Sequence, residues 1–460
     1  MNIQLPNKAL KLINFFNNHG FECFVVGGFI RDTLLKRTHG NHSLDFATNA
    51  RPEQIVELLP SSRYENAFGT VIIPLKDTNV LLGLKTSDFA QEDFFEVTTY
   101  RSEQGYNDKR HPDVVLWGKT ITDDVSRRDF TINALAYDGK TFVDEYKGID
   151  DIEKKLIKTV RDPSERFGED ALRMLRAVRL ASELGFTIDT PTLEAVKINA
   201  QKLRFISKER IRDEFLKILV SPHPGEGIMI LKETGLLKEF LPELLDCFTV
   251  SQVSPKRHHI YDVGTHLVKT LEACTNSDPI VRLACLLHDI GKPKTHAVQD
   301  DGVVTFYNHE ITGTQIAYEI GERLHLSKKE LVKLSTLVRY HQFLVSEEQT
   351  DSAIRRFIRQ VGKENLKDMI DLRVADRIGS GSKPTSWRLD LFLRRIEEVQ
   401  KEPFSVKDLK VNGYDVMKIR KLKPSRQIGD ILDAIFELVV NGKLKNEREE
   451  LVTYLEENKS

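Results

Sequence analysis

Four short stretches carry the residues best suited to chemistry. The first runs from Val25 to Thr48, VVGGFIRDTLLKRTHGNHSLDFAT. An apolar, strand-like run enters Gly27-Gly28, and paired glycines let a backbone approach a phosphate with no Cβ in the way. Arg31 adds a planar fork for phosphate oxygens. Asp45 lies beyond, a carboxylate that could hold a divalent metal over the same phosphates. The second stretch, Arg127-Arg128-Asp129-Phe130-Thr131-Ile132-Asn133-Ala134, supplies two arginines for bidentate phosphate contacts. Asp129 and Asn133 could bind a ribose or position those arginines. The third is Glu169-Asp170-Ala171-Leu172-Arg173. Asp170 and Arg173 stand at i and i+3 of a helical pattern and share a face; acceptors and a donor fork together can read the Watson–Crick edge of C or A. A plain helical ion pair is the alternative. The fourth is a constellation of His266, His288, Asp289, His309, His341 and Asp376, with Lys292 just after the His-Asp pair as a phosphate contact. Imidazole with carboxylate is the usual ligand set of a hydrolytic transition metal, and such a metal can activate water against a phosphoester.

These residues need elements to hold them. Residues 5–20 read as a helix stopped at Gly20, and Phe21–Val26 as a strand entering the glycine turn. Pro52 suits the first turn of a helix over 52–59. Short β-rich runs follow at 70–75, 80–85 and 94–100, with another near 134–144. From about 150 the pattern is helical. Ala171, Met174, Leu175 and Val178 recur at i, i+3, i+4 and i+7, and Gly185 is a plausible stop. Asp300–Gly302 and residues 379–386 read as loops or boundaries.

The first three stretches resemble the tRNA nucleotidyltransferases, the CCA-adding and poly(A) polymerase family of the polymerase-beta-like superfamily. GGFIRD, RRDFTINA and EDALR, continuing into RMLRAVRLASELGF, carry the resemblance, which runs over about residues 20–455. It implies an α+β head built on a polymerase-beta-like nucleotidyltransferase sheet, followed by all-α parts. These are the head at 1–147, a neck and body at 148–255, an HD domain at 256–380 and a tail at 381–460. Asp45 and Glu96, the latter on a neighbouring strand in FFEVTTYR, are the implied catalytic ligands of Mg2+. Gly27, Gly28 and Arg31 cradle the triphosphate; Arg127, Arg128, Asp129 and Asn133 hold phosphate and ribose; Asp170 and Arg173 select the base. The family's acidic motif is Asp-x-Asp-x-Ala-Thr, and here it reads Ser43-Leu44-Asp45-Phe46-Ala47-Thr48. Residues i and i+2 of a strand point to the same side, so Ser43 puts a neutral hydroxyl where a second carboxylate belongs. Asn41 is another neutral oxygen donor nearby. Tyr100–Pro112 resembles the flexible loop that lets family members proceed to the terminal A. Lys208, Arg210 and Arg212, and then Lys421, Lys423 and Arg426, suit phosphate contacts along a tRNA or equally a solvated helix face. The fourth stretch resembles an HD phosphohydrolase domain, which implies nickel, cobalt or manganese.

Composition narrows the classes. The chain has 460 residues, 40% hydrophobic and 30% charged, an ordinary globular balance with room for several domains. Its formal charge of −1 makes any RNA surface a local patch. Four scattered cysteines without a C-x-x-C pair fit a reducing cytoplasm. The N-terminus lacks a signal-peptide pattern, and no apolar run is long enough to span a membrane. The expected function is addition of CCA, or of the terminal A, to tRNA 3′ ends from CTP and ATP without a template. A poly(A) polymerase, or an HD hydrolase with a silent transferase head, stays open, as does the oligomeric state.

Overall fold

The computed structural model describes residues 3–37, 44–65, 69–90, 93–104, 114–252, 261–343, 345–400, 406–440 and 442–458. Asn41, Ser43 and the loop centre 105–113 lie outside the described residues. The chain divides into two compact units, Met1–Leu245 with Arg323–His325, and Asp246–Glu322 with Leu326–Ser460.

The first unit opens with a helix, Asn7–Asn18, and a mixed sheet. Its strands are β1 (Cys23–Val26), β2 (Asp45–Thr48), β3 (Arg63–Tyr64), β4 (Thr70–Pro74) and β5 (Phe94–Thr99). Next come a separate ribbon, β6 (Arg101–Gln104) and β7 (Val114–Trp117), and then β8 (Ala136–Tyr137) and β9 (Phe142–Val143). Seven strands pair in the order β3-β4-β5-β2-β1-β8-β9. Only β2 and β5 run parallel, and their register sets Asp45 against Glu96 and Ala47 against Thr98. Alternation along β5 buries Phe95, Val97 and Thr99 on one face, where the rings of Phe46 and Phe95 meet edge-on at 5.0 Å. Ala47 lies on the opposite face in a core with Phe24, Val26, Ala136 and Val125. Period-2 geometry puts Asp45 on that same face. The face therefore packs the short helix Ile121–Ser126 and carries both carboxylates.

The apolar run at 80–85 is not a strand. Leu75–Leu82 is a helix burying Leu75, Thr78 and Leu82, at i, i+3 and i+7, and Gly83 in the left-handed region (φ 63°) ends it. A run this short does not reveal its period, so helix and strand look alike in sequence. The helix Leu172–Leu184 forms as its spacing predicts, burying Met174, Leu175 and Val178, with Gly185 left-handed at its end (φ 64°).

The second unit is helical, with one interruption. The hairpin Ala297–Val298 and Val304–Thr305 pairs across the turn at Asp300–Gly302. Its tail has a core of its own, built from Val416, Leu432, Ile435, Phe436, Leu451 and neighbouring apolar side chains. The chain's four cysteines are buried and form no disulfide. Among the described residues no helix is long and apolar enough to cross a membrane.

Candidate active site and candidate metal centre

Asp45 and Glu96 are register partners on adjacent parallel strands, so their side chains leave the sheet side by side. Burial, the neighbouring Asp45 and then Glu65 all push the Glu96 carboxyl upward. Like charges held together this way favour a cation between them. Glu65 was not singled out in the sequence. It stands at the β3 end, its N–H bonded to Thr70 O at 3.0 Å.

Gly27 sits at φ 76°, which only glycine adopts freely, and a Cβ there would meet Arg128 Nη1 at 3.0 Å. The glycine turn and the RRDFTINA block are thus packed together. Asp124, fully buried on Ile121–Ser126, binds both arginines: Arg127 Nη2 at 2.5 Å and Arg128 Nη2 at 3.0 Å. Burial would raise its carboxyl, but the two guanidinium groups hold it below the usual range. Each guanidinium has five N–H donors, and pinning one edge orients the rest. Arg31 is also engaged. It pairs with Asp32 at 3.0 Å and donates to Asn133 Oδ1 at 2.6 Å. Asn133 in turn donates to Asp129 (3.2 Å), whose other oxygen takes Arg176 at 2.6 Å. Burial opposes ionisation of Asp129, yet Arg176 holds it well below the ordinary carboxylate range.

Asp170 and Arg173 do not pair with each other. Asp170 binds Arg210 (Nη2–Oδ2 2.7 Å) and also accepts from Leu172 N at 3.0 Å. Arg173 pairs with Glu169 at 2.5 Å and reaches Arg127 O at 3.3 Å. The i, i+3 ion pair, the plain alternative, is absent from these bonds. Arg210, expected as an RNA contact, instead holds the candidate base reader. Arg212 binds Asp213 at 2.8 Å. Lys421, Lys423 and Arg426 are exposed and make no ion pair among the described residues.

The second unit gathers its six residues into one place. Two overlapping groups lie buried, His266, His288 and Asp289, and Asp289, His309 and His341. Asp289 joins them: Oδ2 is 3.5 Å from His266 Nε2 and 3.4 Å from His288 Nε2, while Oδ1 is 3.2 Å from His309 Nε2 and 3.4 Å from His341 Nε2. Asp376 Oδ1 lies 3.3 Å from His266. Gly291 makes this convergence possible, since a Cβ there would sit 2.2 Å from His309 O. The imidazoles also report their tautomers. Nδ1 of His288, His309 and His341 faces the carbonyls of Cys285, Phe306 and Val338 at 2.9, 2.7 and 2.7 Å. A carbonyl only accepts, so Nδ1 carries a proton and Nε2 is the nitrogen turned toward the cluster. The Nε2 atoms of His266 and His288 then stand 3.2 Å apart, and those of His309 and His341 3.4 Å. Asp289 Oδ1 is buried without a well-formed hydrogen bond. Burial alone would keep Asp289 protonated, but Lys292, 2.6 Å away, and His288 hold its carboxyl far down. Converging Nε2 atoms and a buried carboxylate fit a divalent metal. The cluster opens into a cavity of about 800 Å³.

The family model described as poly A polymerase head domain matches residues 23–158, and "Probable RNA and SrmB- binding site of polymerase A" matches 185–248. Residues 306–455 match a model of tRNA nucleotidyltransferase domain 2. The CCA-adding enzyme of Lactobacillus helveticus is 32% identical over 457 residues, 98% of this chain and 96% of that one. The chain belongs to the CCA-adding enzyme family. The CCA-adding enzyme of Ligilactobacillus salivarius is 30% identical over 97% of this chain and 95% of its own. The solved CCA-adding enzyme of Bacillus stearothermophilus in complex with CTP superposes with a TM-score of 0.71 at 27% identity, covering 99% of this chain and 98% of that one. The mixed-sheet head and helical remainder are thus the CCA-adding fold. Sequence reasoning missed Asp124, Arg176 and the Asp170–Arg210 pair. Asp124 had a signal, since it precedes Arg127 and Arg128 by three and four residues on a helical turn. The other pairings cross between elements and leave no local spacing to read.

Proposed function

We propose that this chain adds CCA to tRNA 3′ ends, taking CTP and ATP in turn and releasing pyrophosphate. The single observation that carries the reading is the register that sets Asp45 beside Glu96 on adjacent parallel strands. Asp45 and Glu96 would hold Mg2+, which neutralises the triphosphate and makes the 3′ hydroxyl a better nucleophile. The 3′ oxygen forms a bond to the α-phosphorus, the α–β bridging bond breaks, and pyrophosphate leaves with its electron pair. Gly27 and Gly28 let the backbone approach the triphosphate. Arg128 and Arg127, braced by Asp124, supply positive charge and N–H donors to it. Arg31 and Asn133 share a bond that phosphate or ribose can replace. Asp170 and Arg173 read the base. Lys208, Arg212, Lys421, Lys423 and Arg426 contribute tRNA contacts, and the four-part division at 147, 255 and 380 orders these roles along the chain. A cytoplasmic location fits this work. Incubating the protein with tRNA lacking CCA, with CTP alone, ATP alone and both, tests the reading. Two additions with CTP and a third only with both is the expected pattern; extension of generic RNA by ATP alone would favour a poly(A) polymerase.

One observation supports a second activity. The Nε2 atoms converging around Asp289 favour an HD-type phosphohydrolase centre, in which His266, His288, Asp289 and Asp376 would hold one metal and His309, His341 and Asp289 a second. Nickel, cobalt or manganese suits these nitrogen donors and would supply an activated water. Lys292 adds positive charge beside Asp289. Metal analysis of the purified protein, with hydrolysis of p-nitrophenyl phosphate under each metal, tests it; absence of both bound metal and hydrolysis removes the reading.

A further inference from the structure

The cavity over the histidine cluster does not end at its own wall. A second cavity of about 560 Å³ shares Gln342, Phe343 and Arg373 with it and continues to Arg377, Trp387 and Arg388. The two cavities adjoin across these three side chains, and we treat them as one groove with the histidine–aspartate cluster at one end. Its far end carries Trp387, an indole left 60% exposed at the first turn of the helix Trp387–Val399. Arg388 lies over that ring at 5.1 Å. An indole this open presents a flat apolar face on which a planar group can stack.

The rest of the groove is cationic. Arg373 rests on the Phe343 ring at 5.5 Å. Phe343 is itself braced by Phe357 at 4.7 Å and Phe392 at 5.3 Å. That stack fixes the shared wall and aims the guanidinium along it. Arg377 holds the carbonyls of Lys383 and Thr385 at 3.1 and 3.2 Å, which sets the loop before Trp387. Arg356, on the cluster side, is exposed and makes no ion pair among the described residues. Two of these arginines already have a carboxylate partner, Glu347 on Arg388 at 3.0 Å and Asp376, which also faces the histidine cluster, on Arg373 at 3.4 Å, and a phosphate would share or displace those contacts.

We infer that this groove binds a single-stranded RNA segment, with one base stacked on Trp387 and the backbone phosphates along Arg388, Arg373 and Arg356, so that the strand leads to the histidine–aspartate cluster. An open aromatic face beside arginines at intervals is how unpaired strands are held without regard to sequence. A free phosphate or a small phosphoester would engage the cluster end only and leave Trp387 and Arg388 without a purpose. A duplex presents no open base for the indole. The inference rests on the phosphohydrolase reading for what happens at the cluster, but the groove itself can be tested by binding.

The chain has two tryptophans, so Trp117→Phe leaves Trp387 as the sole reporter. Titrating that full-length protein with an unstructured hexaribonucleotide should quench Trp387 emission, with affinity falling as salt rises. Trp387→Ala and Arg388→Glu, measured with a labelled strand, should each weaken binding about tenfold or more. Unchanged emission, or equal affinity in both variants, overturns the groove. A quench of the same size with a blunt RNA duplex of equal length also overturns it. Parallel assay of the Trp117→Phe protein on p-nitrophenyl phosphate separates the two ideas. Quenching without ester hydrolysis keeps the groove and removes the hydrolase; hydrolysis without quenching does the reverse.

Discussion

The two candidate metal sites are built on opposite principles. In the head, two carboxylates stand half-buried on neighbouring strands, and regular register brings them together. In the second unit, ligands from separate helices converge until their ring nitrogens are 3.2–3.4 Å apart, with all four histidines and Asp289 buried. An oxygen-only, partly open site suits magnesium, which keeps water and borrows substrate phosphates as ligands. A buried nitrogen-rich site needs no substrate to complete it and favours a softer ion. The first should hold its metal only while substrate is present, and the second should keep it through purification.

The largest effects separate the two sites. Asp45→Ala should lower nucleotide addition by at least about a thousandfold, since the metal's charge stabilisation is worth several kcal/mol and each 1.36 kcal/mol is tenfold. Metal content in the second unit should not change. Nucleotide addition measured by gel, with metal content measured on the same sample, checks both. An equal loss of metal from the second unit would contradict two independent sites.

Asp289→Ala is the reciprocal cut. One carboxylate serves both halves of the histidine cluster, so bound transition metal should be lost altogether rather than halved. Lys292 would lose its buried partner at 2.6 Å. Breaking a buried ion pair from one side costs about 3–5 kcal/mol, so thermal unfolding should move clearly downward. Retention of half the metal would show that Asp289 does not bridge.

Ser43→Asp sharpens the comparison from the other side. Asp45 is the sole carboxylate of its sequence motif, so addition by the natural protein should need high magnesium, or manganese. A carboxylate at 43 would restore the second acid of the motif. The rate should rise and the magnesium requirement fall, by roughly one to two orders of magnitude if the new oxygen is a ligand. A rate already high at low magnesium, then lowered by the substitution, would mean that another group completes the site. Glu65, which helps raise the Glu96 carboxyl, is the group to test next. The same raised carboxyl sets a pH trend: as pH falls through its pKa, Glu96 gains a proton and loses its hold on the cation. Addition should therefore decline on the acid side sooner than an ordinary glutamate would dictate.

How far the sequence could be read follows this contrast. The head motifs were legible because each is local: a glycine turn with its arginine, an RRDFTINA block, an acidic helix start. The histidine cluster was legible as a set, because histidine and aspartate recur in order with Lys292 beside them, though nothing local said that Asp289 sits between two groups. Pairings made across elements were not legible. Asp124 gave only a helical spacing, Arg176 looked like any surface arginine of its helix, and Arg210 lay in a basic run that reads as RNA contact. The strand expected at 80–85 failed for a simpler reason: Val80 and Leu81 are largely exposed, and an apolar run says nothing of which side is buried.

The smallest predicted effect tests the least legible pairing. Arg210 holds Asp170 through Nη2–Oδ2 at 2.7 Å, with a weaker Nη1–Oδ1 contact at 3.4 Å. That fixes the plane in which the carboxylate can meet a base. Arg173 is fixed separately, by Glu169. Arg210→Ala should leave Asp170 free to rotate and weaken a hydrogen bond to the base by about 1–3 kcal/mol, a change of roughly five- to a hundredfold in preference for CTP and ATP over UTP and GTP. Arg210→Lys keeps the charge but not the two-point grip, so it should recover tRNA affinity more fully than base choice. A simple RNA contact predicts the other pattern. Arg210→Ala would then weaken tRNA binding with discrimination intact, and lysine would restore it. Steady-state addition measured with each of the four nucleotides, alongside tRNA affinity, decides between them. The double variant Asp170→Ala with Arg210→Ala completes the test: if arginine acts through the aspartate, removing both should cost base choice no more than removing Asp170 alone.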